Sequence, residues 1–262
     1  MKTTSLAVAL AASVALPAMA TDLEVTHWWT SGGEAAAVAE LAKAFDASGD
    51  HWIDGAIAGS GGTARPIMIS RITGGDPMGA TQFNHGQQAQ ELVEAGLMQD
   101  LTAVAEAGNW RETINPIALL DACTIDGRIY CAPVNIHSPE WLWLNNSVYE
   151  NLGIPVPQNW DEFVASADQV RAAGIVPLAL GNQPWQSSLA FGAIQIAVAG
   201  IDAWRAVNVD KDMEVAAGPI FAEVFQAAAD ARELAVGSNV QDWNQATNMV
   251  ITGTAAAQIM GD

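Results

Sequence analysis

The stretch Trp28-Trp29-Thr30-Ser31-Gly32-Gly33-Glu34 brings two flat indole faces and one carboxylate close together on either side of a Gly-Gly turn. Those groups suit a ligand with an apolar face and hydroxyls to donate. The apolar run before them predicts a strand over 23–29. Side chains alternate faces along a strand, so Trp28 and Trp29 cannot both enter one core. The carboxyl end of an α/β strand, next to a helix N-terminus, is where such folds hold ligands. Two core tryptophans beside an ordinary βα turn is the competing reading of the same residues. Ten tryptophans occur in all, and several sit by loops with amide neighbours, as in Gln183-Pro184-Trp185-Gln186 and Asp242-Trp243-Asn244-Gln245. A pyranose packs its C–H face on an indole while amides and carboxylates bond its hydroxyls; core packing competes for each tryptophan singly. Glu34 paired with a second carboxylate would serve glycoside hydrolysis. The sequence places no such partner, and a carboxylate in a first helical turn is also favoured by the helix dipole.

Other chemistries find little support. Gly59-Ser60-Gly61-Gly62 precedes a helix but lacks the G-x-G-x-x-G spacing and a Walker lysine, so it reads as a tight turn that brings backbone near a neutral ligand. There is no G-x-S-x-G elbow and no H-E-x-x-H. Asp46, Asp50 and Asp54 read as a solvated loop. Two cysteines and four histidines leave little for a Cys/His metal site, and neither metal nor cofactor is expected. A net charge of −19 repels phosphate backbones and anionic lipid, which argues against nucleic acid and membrane surfaces as partners.

The elements that must position these residues follow an export signal. Lys2, an apolar run over 6–16 and Ala18-Met19-Ala20 form the three parts of a cleavable signal peptide over 1–20. Strand and amphipathic helix signals then alternate: a helix over 34–47 with Ala37, Val38, Leu41, Ala42 and Phe45 on its apolar face, a strand around 52–57, a helix over 63–73, a short strand over 80–83, and helices over 87–95 and 102–107. This βαβαβα order predicts a mostly parallel sheet with helices on both faces. Beyond an extended stretch reaching Ile136, strands are predicted at 141–144, 177–180 and 255–260. Helices are predicted over 147–153 capped by Ser147, over 160–173 capped by Asn159, and over 185–199 (few charges, hence buried), 202–207, 219–234 and 242–252. The chain stops just after a strand signal, which reads as a fragment.

Cys123 and Cys131 flank Thr124–Tyr130, whose Asp126-Gly127 is a hairpin-turn signal. In an oxidising compartment a disulfide between them is the natural pairing. A strict two-residue turn sets Cys123 opposite Tyr130, so this pairing calls for a bulge or a shifted loop.

Several motifs in order along the mature chain resemble a known family, the periplasmic sugar-binding proteins of ABC transporters (extracellular solute-binding family 1), most closely its glucose/mannose-type members. They are Trp28 to Glu34, Gly74-Gly75-Asp76-Pro77, Gln82-Phe83-Asn84-His85-Gly86 and Asp126-Gly127-Arg128-Ile129-Tyr130 with Pro133 to His137. Asn159-Trp160-Asp161-Glu162-Phe163, Pro177 to Gly181 with Trp185, Asp242 to Ala246 and Gly253 to Asp262 follow. The resemblance implies a two-lobed α/β periplasmic-binding-protein fold with crossing hinge strands, incomplete at the C-terminus. Residues 21–130 would form the first lobe, and 131–262 the hinge crossing and part of the second. It implies a non-enzymatic, monomeric periplasmic protein that captures a sugar between the lobes and delivers it to membrane permease subunits. Carried over residue by residue, Trp28, Trp29, Glu34, Gln82, Asn84 and His85 would be first-lobe contacts, with Trp243 a stacking platform and Trp185 and His137 near the cleft. An exported glycoside hydrolase using Glu34, and a sugar-sensing module serving a receptor, are the rival readings.

Overall fold

The computed structural model describes residues 20–84, 86–138 and 141–261. The signal-peptide reading over 1–20 and His85 therefore lie, all but Ala20, outside the described residues. Two compact units divide between Asn84 and residue 85, so residues 86–130 group with the later part of the chain rather than with 21–84.

In the first unit, β1 (Asp22–His27), α1 (Gly32–Asp46), β2 (His51–Ala56), α2 (Ser60–Thr73) and β3 (Ala80–Thr81) alternate. The strands make a parallel sheet in the order β2-β1-β3, with Val25 opposite Ala80 and Thr26 opposite Thr81. Parallel neighbours need crossover helices, which α1 and α2 supply. β1 stops at His27, two residues short of the predicted end, so both tryptophans fall beyond the ladder. On α2, Ala64, Met68 and Ile72 recur every fourth residue and are buried. The apolar face predicted for α1 is buried only at Val38, while Leu41 stays 44 % exposed. A three-stranded sheet offers α1 little more than edge strand β2, where Phe45 meets Trp52 edge-on at 6.1 Å. Arg71, at the end of α2, grips β1 by a bidentate pair to Glu24 at 2.6 and 2.8 Å.

Of the aspartates read as a solvated loop, Asp46 and Asp54 are exposed, and all three also have structural partners. Asp46 Oδ1 accepts from Trp52 N, Asp50 Oδ1 from Thr21 N, and Asp54 lies within β2, 2.6 Å from His27 Nε2. The tight chain reversal before β2 leaves backbone N–H groups that nearby carboxylates satisfy.

The second unit opens with a 3₁₀ turn (Gly86–Ala89) and the short helices α3 (Gln90–Glu94), α4 (Thr102–Ala107), α5 (Trp110–Thr113) and α6 (Ala118–Asp121). The hairpin of β4 (Thr124–Ile125) and β5 (Arg128–Ile129) turns through Asp126 and Gly127, both with positive φ, 49° and 78°. That is the I′ geometry whose twist matches paired strands. Tyr130 N donates to Cys123 O at 3.0 Å, so Cys123 does stand opposite Tyr130. Cys123 and Cys131 are nevertheless disulfide-bonded, with Cα atoms 5.1 Å apart. No bulge is needed: the ladder ends at Ile129, and the chain beyond it turns the Cys131 sulfur back. Ala105, Leu120, Cys123 and Ile129 form a small core there.

The remainder contains β6 (Trp141–Leu144), α7 (Asn146–Leu152), α8 (Trp160–Ala172), β7 (Val176–Ala179), α9 (Pro184–Asn208), α10 (Met213–Ala216), α11 (Pro219–Leu234), α12 (Trp243–Ile251) and β8 (Ala255–Met260). β8 is central, antiparallel to β6 and parallel to β7. Leu178, Ala257 and Ile259 face α8, α9 and α11 in the main core, joined by Leu142 and Leu144. Ala179, Ala246 and Ala255 form a second layer under α12, where small side chains let helix and sheet approach. Asn145, not Ser147, caps α7, accepting from Val148 N, because the strand ladder holds Asn145 N to Ala256 O at 2.8 Å and the chain turns there. The helices expected over 185–199 and 202–207 are both present, as the two limbs of α9 on either side of Gly200, whose backbone is non-helical (φ 80°, ψ 164°). It buries one face, chiefly Gln186, Ala190, Ile194 and Gln195, rather than its whole surface.

Candidate functional site

The predicted contact residues fall into two sets, one in each unit. In the first, β1 hands the chain directly to Trp28 and Trp29, both half-buried. β3 runs beside β1, and Gln82 continues that pairing, its N–H donating to Thr26 O at 2.8 Å. The Gln82 side chain then turns back, and its Oε1 accepts from Trp28 N at 3.0 Å. One residue thereby ties the two strand ends together. The Trp28 ring lies against Gly61, where an added Cβ would stand 3.2 Å from the indole, so a side chain there would press on the ring. Arg65 Nε donates to Gly61 O at 3.0 Å and holds that backbone in place. The glycine-rich turn thus brings backbone close to an aromatic wall.

Glu34 stands in the first turn of α1, half-buried, and accepts from Ser31 Oγ at 3.1 Å. This orients the carboxylate beside the N-terminus of the helix, whose dipole favours a negative charge. Asn84 follows Gln82 on the exposed chain after β3. Beneath this surface His27 is 5 % exposed and joined to Asp54, while its Nδ1 is buried without a partner.

The second set is built on amides. Leu180 to Gln183 leave the carboxyl end of β7 and enter α9 through Pro184, a residue suited to a first helical turn. Gln183, 7 % exposed, donates from Nε2 to Asp242 Oδ1 at 2.8 Å and accepts from Trp185 Nε1 at 2.6 Å. It also accepts from Gln186 Nε2 at 3.2 Å. Gln186 is wholly buried; it donates to Gln241 O at 3.2 Å as well, and its Oε1 accepts from Gly181 N at 3.0 Å. A Cβ at Gly181 would collide with that amide, so glycine is required where backbone and side chain meet. Trp243 opens α12 next to Asp242, and its carbonyl accepts from Gln258 Nε2 at 3.1 Å. Gln258, on β8, is bonded in turn by Thr247 Oγ1 at 2.8 Å.

Trp185 and Trp243, 58 positions apart by number, are therefore fixed to one another through Gln183 and Asp242 at the carboxyl ends of parallel strands. Both are half-buried. With the Trp185 N–H already used by Gln183, the ring presents its faces. His137 is exposed on the extended stretch after β5, its Nε2 2.9 Å from Asn135 Nδ2. The sequence reading names Gln186 only as an amide neighbour of Trp185 and passes over Gln258. Their signal was available: each is an amide set in an otherwise apolar helix or strand, where burial demands partners.

A family model described as bacterial extracellular solute-binding protein matches residues 29–262. A probable sugar-binding periplasmic protein of Brucella melitensis is 38 % identical over 244 residues, covering 92 % of this chain and 57 % of its own length. One of the same description from Rhizobium meliloti is 36 % identical over 265 residues, covering all of this chain and 63 % of its own. The chain thus spans about three-fifths of these relatives. Among solved structures, a chitin oligosaccharide binding protein superposes with a TM-score of 0.73 at 18 % identity, over 91 % of this chain and 61 % of that one. The bacterial solute receptor AcbH, described as having an exclusive preference for β-D-galactopyranose, gives 0.73 at 21 %, over 92 % and 60 %. The α/β fold is that of solute-binding proteins.

Proposed function

From the premise that this chain belongs to the bacterial extracellular solute-binding protein family, we propose that it captures a neutral sugar outside the cytoplasm and presents it to the permease of an ABC importer. The observation that carries this reading is the array Trp185–Gln183–Asp242–Trp243. It ties Trp185 to the start of α12 beside Trp243 and, with the Trp185 N–H already bonded, leaves the faces of that indole for a ligand. Trp28, Trp29, Glu34, Gln82 and Asn84 supply a complementary set, with His85 and His137 as further contacts. The ring they suit is a pyranose of glucose or mannose type. Indole takes its C–H face, and carboxylate and amides take its hydroxyls. An acidic chain disfavours anionic sugars and sugar phosphates.

The mechanism is capture without bond-breaking. A ligand that gains contacts in one conformation shifts the population toward it, and the permease reads that population. The protein works as a monomer in the periplasm after cleavage following Ala20. Cleavage there would make Thr21 N an ammonium group, and it already donates to Asp50 Oδ1 at 2.9 Å. An ion pair would then anchor the mature terminus. The names of the Brucella and Rhizobium relatives support the sugar-binding and periplasmic parts of this reading.

Calorimetric titration of the full-length protein with neutral monosaccharides tests the proposal. Saturable binding with no release of new reducing ends is expected. Turnover of an oligosaccharide would overturn it in favour of a hydrolase using Glu34, and silence across all sugars would remove it.

A further inference from the structure

β6 carries a pair of tryptophans that the proposed contact sets do not use. Trp141 and Trp143 are 50 % and 46 % exposed, unusual for so large an apolar side chain. Being two residues apart on a strand they share a face, while Leu142 and Leu144 point the other way into the main core. In the ladder Trp141 stands opposite Met260 and Trp143 opposite Gln258. Directly opposed residues on antiparallel strands share a face. Gln258 is the same buried amide that donates to the Trp243 carbonyl at 3.1 Å. The indole pair and Trp243 are thus neighbours through one residue, on the α12 side of the sheet. α12 packs over Ala179 and Ala255, on β7 and β8, and β6 lies beyond that contact.

The chemistry of the pair is specific. Trp143 Nε1 donates to Met260 O at 2.9 Å, which pins the ring and consumes its polar edge. The two ring centroids are 5.9 Å apart with planes inclined at 35°, a shallow open angle rather than a closed stack. Every residue of β6 is uncharged, and so are the facing Gln258 and Met260. An anionic ligand gains nothing on this surface. A flat, neutral ring with a C–H face does.

We infer that Trp141 and Trp143 form a second aromatic platform, beside Trp243, for a further pyranose unit, and that the ligand is a neutral oligosaccharide of two or more rings. This rests on the sugar-capture reading above and extends it to the substrate class. Trp141 lies opposite Met260, the last residue of β8, so the platform occupies the strand ends where ligands of such sheets sit.

The test is calorimetry on the full-length protein with glucose and mannose against cellobiose, maltose and mannobiose. One disaccharide should bind roughly tenfold tighter than its monosaccharide, the gain expected of one more ring on an aromatic surface. Trp141→Ala with Trp143→Ala should abolish that gain and leave monosaccharide affinity within about twofold. Trp141→Phe, which keeps an aromatic face and disturbs no hydrogen bond of Trp143, should retain most of it. A gain that survives the double alanine variant overturns the inference. So do equal affinities for one and two rings in the unaltered protein, an outcome that spares the sugar-capture reading. No binding of any sugar removes both. Indoles already shielded from N-bromosuccinimide in the ligand-free protein would show that polypeptide covers this face, and would also overturn it.

Discussion

The two units hold their candidate contact residues by different means. In the first, the surface that carries Trp28 and Glu34 rests on a three-stranded sheet braced by an ion pair, Arg71 on Glu24. In the second, Trp185 and Trp243 are braced by neutral amides, with Gln186, Gln258 and Gln183 all under 9 % exposed. Charged pairs near solvent are screened by salt and respond to pH. Buried amides do neither, but each depends on every partner being present. One half of the candidate machinery is therefore tunable by solution conditions, and the other is rigid and intolerant of substitution.

The largest expected effect on stability breaks the rigid half. Gln186→Leu keeps the volume but leaves Gly181 N buried without its partner and removes the donor to Gln241 O, at a cost of roughly 1–3 kcal/mol. Urea unfolding followed at α9 would show it, and an unchanged midpoint would mean that the amide network contributes nothing to stability. Next come the ligand contacts. Trp243→Ala and Glu34→Ala should each weaken sugar binding by roughly 1–4 kcal/mol, the range for a dominant interface residue. Calorimetry returning wild-type affinity for both would dismiss them as contacts. Asn159 accepts from Glu162 N at 2.9 Å as the cap of α8, so Asn159→Ala should cost about 1 kcal/mol without touching binding. A binding change in this variant would show that the cap of α8 is coupled to the contact residues of its own unit.

The smallest effect is the one that distinguishes the halves most cleanly. The Arg71 guanidinium hydrogen-bonded to Glu24 holds that carboxyl below its ordinary value of 4.5. A carboxylate whose value is depressed in the folded state stabilises it fully above the unfolded value. The contribution disappears as pH falls through the folded one. Hydrogen exchange between pH 7 and pH 3 should therefore find β1 and α2 losing protection before β7 and β8. Glu24→Gln should flatten that dependence. Parallel losses in both units would erase the contrast.

Much of the fold was legible in the sequence, where end signals are unambiguous. Thr102–Ala107, Pro219–Leu234 and Ala255–Met260 occupy the predicted residues. The last is a strand although three alanines open it, because Gly253 turns the chain into it at φ 74°. Local signals fail where tertiary pairing decides. β1 ends at His27 because the last pairing partner on β2 is Ala56, something no local preference of Trp28 reveals. Asn145, Asn146 and Ser147 are all competent caps, and only the ladder bond to Ala256 selects the first. The candidate site was legible as residue types, since tryptophans set beside amides in loop-like sequence stand out. Its wiring was not: Gln183 to Asp242 joins side chains whose pairing no periodicity encodes. The i, i+2 spacing of Trp141 and Trp143 does encode a shared face, but which face stays open depends on how far α12 reaches.

The break in α9 has a meaning for secretion. Pro184–Asn208 is long and apolar enough to cross a membrane by length and composition, and most of it is not buried. An exported chain that presented an unbroken helix of this kind to a translocation channel would risk being released sideways into lipid. Gly200 limits that hazard. The first limb, ending at Ala199, is about 24 Å long at the α-helical rise, short of the roughly 30 Å of hydrocarbon a span must cross. Glycine also lowers helix propensity by about 1 kcal/mol relative to alanine. The residue that bends a helix in the folded protein thus also weighs against its being retained in the bilayer on the way out.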